Sequence, residues 1–223
     1  MNYKIVGDTI QSLYIELNKD CASVYSESGN VIYMTPNIRL LTSSPGKLSE
    51  LLKRVIAGNS PMINHFELES GTRGEIAFST RFPSKIIPLQ LKDRGMLVQQ
   101  HSFLCAEESV HLEAQSDRKG TGIFGEHTSS YNRLSGKGCA FIAVEGDLVT
   151  KELDYGESLL IHPGHLAAYE QSVQVEIQRQ VAIKNMFLSE EGVYFLKVSG
   201  PGKVMLHTLN IHSFAEAVSA NLP

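Results

Sequence analysis

The stretch VSGPGKVML, residues 198–206, decides the fold because related copies of it occur twice more in the chain. Its relatives are ESGTRGEIAF at 69–78 and LSGKGCAFI at 134–142. Each copy has a Ser-Gly pair, a second glycine and then an apolar run, and successive Ser-Gly pairs stand 65 and 64 residues apart. Because self-similarity at a fixed period is the signature of a repeated structural unit, the sequence predicts internal repeats.

A second landmark recurs with the same rhythm and in the same order. Its copies are SGNVIYMTPNIRL at 28–40, HSFLCAEESVHL at 101–112 and PGHLAAYEQSVQV at 163–175. A single copy would expose strand edges and bury little apolar surface. We therefore expect one domain, 1–223, in which three repeats pack around a pseudo-threefold axis. Their approximate bounds are 1–78, 79–144 and 145–212.

Short segments of alternating apolar and polar residues, bounded by glycine, proline, asparagine and aspartate, predict an all-β fold. The 18 glycines mark turns at short intervals. One helix is predicted near 47–57, where leucines and a valine fall on one helical face. A short C-terminal helix is predicted to start at Ser213, with Glu216 three residues on, and to pack its apolar face on the body.

A glycine-rich turn followed by a lysine is also typical of a phosphate-binding loop. The lysine does not keep its place, since Lys137 lies between the two glycines of its copy, Lys203 follows them and the first copy has Arg73. A strand connection needs only the glycines. We therefore interpret the six glycines as structural turn residues: Gly71, Gly74, Gly136, Gly138, Gly200 and Gly202. A backbone nest that holds a small anion stays open as an alternative.

Histidines 162 and 165 form an HPGH pair, which makes them candidate metal ligands, and the further groups available in the sequence are Asp154, Glu157, His207 and His212. A metal site needs a third and a fourth ligand, and the sequence does not place one beside His162 and His165. We expect no metal there, and we interpret the pair as flanking a Pro-Gly turn at the surface or at a subunit contact. A metal-dependent enzyme that uses His162 and His165 is the alternative.

The sequence contains no complete motif for nucleophilic catalysis or for nucleotide binding. GTGIFG at 120–125 fits a dinucleotide fingerprint, but a Ser/Asn/Gly-rich segment follows where a helix would have to start. No GxSxG elbow occurs. Glu107 and Glu108 are adjacent and would point to opposite faces of a strand, while Tyr169-Glu170 occupies the equivalent place in the third copy. We expect no catalytic residues and no cofactor, and a structural role for the glutamates.

Composition limits the partners. A formal net charge of −4 argues against a broad electrostatic grip on nucleic acid, and the aromatic-basic interleaving at 131–133 and 194–197 is sparse. Cys21, Cys105 and Cys139 are widely spaced and predict buried, reduced thiols. The N-terminus lacks the features of a signal peptide, and no apolar run approaches the length that crosses a bilayer. We expect a cytoplasmic protein without a transmembrane segment.

Seven segments in order resemble the altered inheritance of mitochondria protein 24 family. They are SGNVIYM (28–34), LLKRVIAG (51–58), FPSKIIPLQL (82–91), FLCAEESV (103–110), FGEHTSSYNRLSGKGCAFIAVEGDL (124–148), ESLLIHPGHLAAYEQSV (157–173) and EEGVYFLKVSGPGKVML (190–206). The resemblance implies a triplicated TRAP-like β-structure of the double-stranded β-helix type. It also implies a homotrimer or a larger ring, and no established enzyme activity. Eukaryotic members are associated with mitochondrial organisation.

The function expected from these features is that of a non-enzymatic, oligomeric β-scaffold that acts through protein-protein contacts. Its first expected partner is a copy of itself, and its second is an unidentified protein. The alternatives are a ring protein that binds RNA or a small anion, and the histidine-dependent metalloenzyme named above.

Overall fold

The structure is a computed structural model that describes residues 1–27, 30–43, 62–92, 95–115, 131–179 and 194–221. These residues form 18 β-strands and one α-helix, which confirms the predicted all-β class. The strands are β1 (Asn2–Val6), β2 (Ser12–Asn18), β3 (Ser23–Glu27), β4 (Val31–Met34), β5 (Ile38–Ser43), β6 (Ile63–Leu68), β7 (Arg73–Ser79), β8 (Ser84–Lys92), β9 (Met96–Gln99), β10 (Phe103–Glu107), β11 (Val110–Gln115), β12 (Tyr131–Glu145), β13 (Leu148–Leu153), β14 (Ser158–Ile161), β15 (Leu166–Glu170), β16 (Gln174–Arg179), β17 (Tyr194–Ser199) and β18 (Gly202–His207).

One pattern of antiparallel pairing occurs in three successive segments. In residues 12–79, β2 and β4 flank β7, while β3 and β5 flank β6. In residues 84–145, β8 and β10 flank the second half of β12, while β9 and β11 flank its first half. In residues 148–207, β13 and β15 flank β18, while β14 and β16 flank β17. The arrangement of these segments about a pseudo-threefold axis stays a prediction.

Two strand pairings join one segment to the next. Strand β10 pairs with β3, and β15 pairs with β9, so that a strand of each later segment lies beside a strand of the segment before it. Through these contacts an 11-stranded sheet runs through all three segments, with a four-stranded and a three-stranded sheet beside it. Strand β4 ends the four-stranded sheet and β14 ends the three-stranded one.

The central strand β12 separates two apolar cores. Phe141 packs in the cluster that contains Leu13 and Ile15 from β2, whereas Ala140 and Ile142 belong to the cluster around β9 and β10. Successive residues of β12 point to opposite faces, and all three are fully buried because a core covers each face. A third cluster lies between β14, β15, β17 and β18.

The C-terminal helix differs from its prediction in start and in packing. Helix α1 spans Ile211–Ser219, and its N-cap is Asn210, whose side chain accepts the backbone N–H groups of His212 and Ser213. Asparagine is among the strongest N-cap residues, and Asn210 directly precedes the first helical residue, Ile211, so the helix starts two residues earlier than predicted. No helix residue is buried, so the expected packing of its apolar face on the body is wrong. The helix predicted near 47–57 lies outside the described residues.

The three cysteines should resist thiol reagents while the protein is folded. Burial raises the pKa of Cys105 well above its usual range, raises that of Cys139 to about 11 and raises that of Cys21. Since the thiolate is the reactive form, we expect no fast reaction with a disulfide reagent at pH 8, and three reactive thiols after denaturation.

A Tyr155→Cys variant is the positive control for that measurement, because Tyr155 is 88% exposed and a thiol there meets the reagent directly. Rapid reaction of any native cysteine in the folded wild-type protein would contradict the burial described above.

Candidate functional site

The three copies of the Ser-Gly motif lie where a strand changes partners. The first copy separates β6 from β7 and the third separates β17 from β18. The middle copy lies inside β12, which is continuous through it, so the strand–turn–strand geometry expected there is absent. Strand β12 remains unbroken because β11 pairs with it up to Gly136 and β8 pairs with it from Lys137 onward. The motif is therefore a corner that moves one strand between two sets of neighbours.

The six predicted turn glycines lie at these corners. Four have positive φ angles, from +79° to +152°: Gly71, Gly136, Gly138 and Gly202. At the other two, Gly74 and Gly200, a Cβ atom would stand within 2.9 and 2.4 Å of a neighbouring atom. The corners therefore need glycine both for backbone conformation and for space.

A side-chain oxygen closes each corner by accepting the backbone N–H that follows the second glycine. Glu107 Oε2 accepts from Cys139 N at 2.6 Å, and Glu170 Oε2 accepts from Lys203 N at 3.2 Å. In the first corner Thr35 Oγ1 accepts from Glu75 N at 3.1 Å. At each corner the N–H group after the second glycine thus already has an acceptor from the chain itself.

The neighbouring carboxylates Glu107 and Glu108 do not converge. Whereas Glu107 faces the corner, Glu108 Oε1 lies 2.8 Å from His65 Nδ1 on the outside of the molecule. Glu107 and Glu170 occupy equivalent places at two corners, and each accepts a backbone N–H there, so the role of both glutamates is structural.

Removing the Glu107 carboxylate should lower the free energy of unfolding. A hydrogen bond to a charged group contributes roughly 1.5–3 kcal/mol, so Glu107→Ala should lower the free energy of unfolding by about 2 kcal/mol. Glu107→Gln keeps an acceptor oxygen and should cost about half as much. Urea unfolding of the two variants measures both values, and equal losses would contradict a role for the oxygen as acceptor.

The two candidate metal-ligand histidines, His162 and His165, lie side by side. Their ring centres are 5.8 Å apart, His165 Nδ1 donates to the backbone oxygen of His207 at 2.9 Å, and His162 Nδ1 accepts from Asn210 at 3.4 Å. Desolvation and, secondarily, the nearby His165 lower the pKa of His162. Among the residues that the structure describes, no third histidine, cysteine or carboxylate joins a metal-binding group with them.

A buried polar cluster that sequence reasoning missed joins the second and third segments. His207 is 2% exposed, its Nε2 lies 2.6 Å from Gln99 Oε1, and its Nδ1 accepts the backbone N–H of Glu145 at 2.9 Å. The Glu145 carboxylate lies 2.8 Å from the same Nδ1. Both ring nitrogens therefore have partners. No local sequence pattern surrounds Gln99, Glu145 and His207. Only the repeat period, which places β9, β12 and β18 near one another, could have indicated that these residues meet.

Strand β4 is an exposed apolar edge. Its four residues, Val31, Ile32, Tyr33 and Met34, are 36–51% exposed. Tyr33 donates a short hydrogen bond to Glu75, and that bond with the Glu75 charge raises the pKa of Tyr33 to about 12. A surface depression of about 500 Å³ lies beside it, lined by β1, β2 and β7 residues. The corresponding strands of the other segments, β10 and β15, are buried almost throughout.

A comparison with protein families decides where the chain belongs. The model of the family described as "Mitochondrial biogenesis AIM24" matches residues 3–209. The chain belongs to this family. The result agrees with the resemblance found in the sequence, and the match covers all three segments of the AIM24 chain.

Two proteins of Streptococcus pyogenes are similar to this AIM24-family chain. An uncharacterized protein from serotype M6 is 25% identical over 209 residues, which cover 90% of this chain and 83% of the relative. The crystal structure of protein SPYM3_0169 superposes with a TM-score of 0.77 at 22% identity and covers 99% of both chains. This second likeness shows a shared fold. In the described part of the AIM24-family chain, no helix has the length and apolar character to cross a membrane.

Proposed function

We propose that this AIM24-family protein is a non-enzymatic, oligomeric β-scaffold that works through protein-protein contacts, first of all with copies of itself. The observation that carries the proposal is β4, a sheet edge whose four consecutive residues are apolar or aromatic and exposed. Such an edge pairs readily with another chain, and native proteins normally shorten, charge or cover it. Here no residue of β4 carries a charge.

The chemistry of the described sites supports a scaffold over the alternatives. The N–H group after the second glycine of each corner already has an acceptor in Glu107, Glu170 or Thr35, which counts against an anion site at that group. The ring nitrogens Nδ1 of His162 and His165 are engaged with Asn210 and with a backbone oxygen. We place the protein in a reducing compartment, the cytoplasm, since all three cysteines are unpaired and buried.

Light scattering coupled to size exclusion tests the proposal directly. We expect a mass of three chains or a larger multiple at micromolar concentration, unchanged between low and moderate salt because the contact is apolar. A monomer under these conditions would overturn the proposal. Elemental analysis of the same sample and retention on an RNA pool at low salt test the two alternatives, which predict stoichiometric metal and salt-sensitive binding, respectively.

A further inference from the structure

We propose that β4 of one chain pairs antiparallel with β14 of a second copy, in the register Tyr33 opposite Ile161, Met34 opposite Leu160 and Thr35 opposite Leu159. This inference rests on the proposed self-association and specifies its interface. The contact is head-to-tail, because it uses one edge of each chain and leaves the complementary edge free for a third copy.

The two junctions inside the chain supply the template. At the first, Cys105 of β10 lies opposite Ser26 of β3, and Ala106 lies opposite Tyr25. At the second, Ala168 of β15 lies opposite Val98 of β9, and Tyr169 lies opposite Leu97. Strands β10 and β15 flank the half of their segment's corner that follows the glycines, whereas β3 and β9 flank the half that precedes them. At each junction a strand of the first kind pairs with a strand of the second kind from the preceding segment.

Strand β4 occupies the place of β10 and β15 in its own segment. It pairs with β7 as β10 pairs with β12 and β15 with β18, and each of these three ladders has a register shift after the first residue of the flanking strand. Aligning the ladders on that shift places Tyr33 and Met34 at the positions of Cys105 and Ala106 in the first junction. In the described residues, β4 has β7 as its one partner and ends its sheet.

Strand β14 occupies the place of β3 and β9. It pairs with β17 as β9 pairs with the first half of β12, and aligning those ladders places Leu160 and Ile161 at the positions of Leu97 and Val98. Strand β14 likewise ends its sheet. In the part of the chain that the structure describes, one strand of each kind therefore has an edge without a partner strand, and the two kinds are those that pair at both internal junctions.

Burial follows the same division. At the internal junctions β10, β15 and β9 are buried along nearly their whole length. In contrast, all of β4 is exposed, and Leu160 on β14 is 45% exposed. Met34 and Leu160, directly opposed in the proposed register, are both apolar, as Tyr169 and Leu97 are at the second junction. In the described residues neither of these two edges has a partner strand within the chain. The proposal therefore takes the complementary strand from another copy, in place of a closure about a pseudo-threefold axis within one chain.

Mixing two single-cysteine variants tests the register. Met34→Cys and Leu160→Cys are prepared separately, allowed to exchange subunits at dilute concentration and treated with a short bismaleimide, which spans directly opposed residues in an antiparallel pair. We expect a covalent dimer in the mixture, at least tenfold above the amount formed by either variant alone. Both substitutions lie on exposed strands and leave the cores intact.

The matched control replaces Met34→Cys by Val149→Cys, since Val149 is 38% exposed and Met34 36%. The mixture of Val149→Cys with Leu160→Cys should give no dimer above its single variants. Equal yields in the two mixtures would overturn the proposed register. A doubly substituted Met34→Cys/Leu160→Cys chain that cross-links only within itself would also overturn the proposal, because the edges would then close within one chain.

Light scattering on the same samples distinguishes a failure of the proposed interface from a failure of self-association. An oligomer without specific cross-linking contradicts the β4–β14 interface and leaves self-association standing, whereas a monomer contradicts both.

A charge pair gives a further readout. Leu160→Glu should weaken self-association at least tenfold, and adding Met34→Lys to the same chain should restore it, because every contact then sets a lysine opposite a glutamate. Failure of the doubly substituted chain to associate better than Leu160→Glu alone would count against the direct opposition of Met34 and Leu160.

Discussion

Replacing His207 by alanine should lower the free energy of unfolding by about 3–5 kcal/mol, because two buried polar groups each lose a hydrogen-bond partner at a cost of roughly 1–3 kcal/mol. The substitution deprives Gln99 Oε1 of the ring nitrogen 2.6 Å away and leaves the Glu145 backbone N–H without its acceptor. The Glu145 side chain, 8% exposed, would then stay in the interior without the imidazole beside it. Water does not reach these groups to compensate, because the whole cluster is buried.

Chemical denaturation with a His111→Ala control measures this effect. His111 lies exposed on β11, so the control removes an imidazole from the surface and should change stability by less than about 0.5 kcal/mol. A second variant, His207→Ala combined with Glu145→Ala, should cost less than the two single losses together, since the groups share one contact. Additive losses would show that the two side chains act independently, contrary to the geometry.

The all-β class could be predicted from the short alternating segments, while the details that depend on distant partners could not. The recurrence of VSGPGKVML predicts internal repeats about a pseudo-threefold axis, which stays a prediction beside the pairing pattern that the three segments share. The continuity of β12 through the middle motif was not predictable, because it depends on β8 and β11 covering that strand from outside the motif. The residues of the motif do not indicate which distant strands will pair with β12.

The candidate site divides in the same way. The role of Glu107 and Glu170 could be inferred from their equivalent places, but the hydrogen-bond acceptor role needed the backbone of β12 and β18. The cluster of Gln99, Glu145 and His207 escaped prediction because its members lie 46 and 62 residues apart in sequence and no pattern marks them. Exposure of β4 was equally invisible, since VIYM has the composition of a buried strand.

Replacing Gly138 by alanine should destabilise the protein by about 3 kcal/mol, the sum of backbone strain and a displaced charged hydrogen bond. The glycine has φ of +152°, and an alanine Cβ would stand 2.6 Å from Ser109 Oγ and 2.7 Å from Glu107 Oε2. The carboxylate must then move away, and Cys139 N loses its acceptor. The repeated glycine is thus required because a side chain crosses over it.

Gly156→Ala separates strain from crowding, because Gly156 has φ of +83° and no atom within 4 Å of the added Cβ. It should cost about 1 kcal/mol, from the backbone alone. The double variant Glu107→Ala/Gly138→Ala completes the test: with the carboxylate gone, the alanine meets less resistance, and the loss should fall short of the sum by about 1 kcal/mol or more. Equal costs at Gly138 and Gly156, or strict additivity in the double variant, would mean that the oxygen of Glu107 does not determine the glycine.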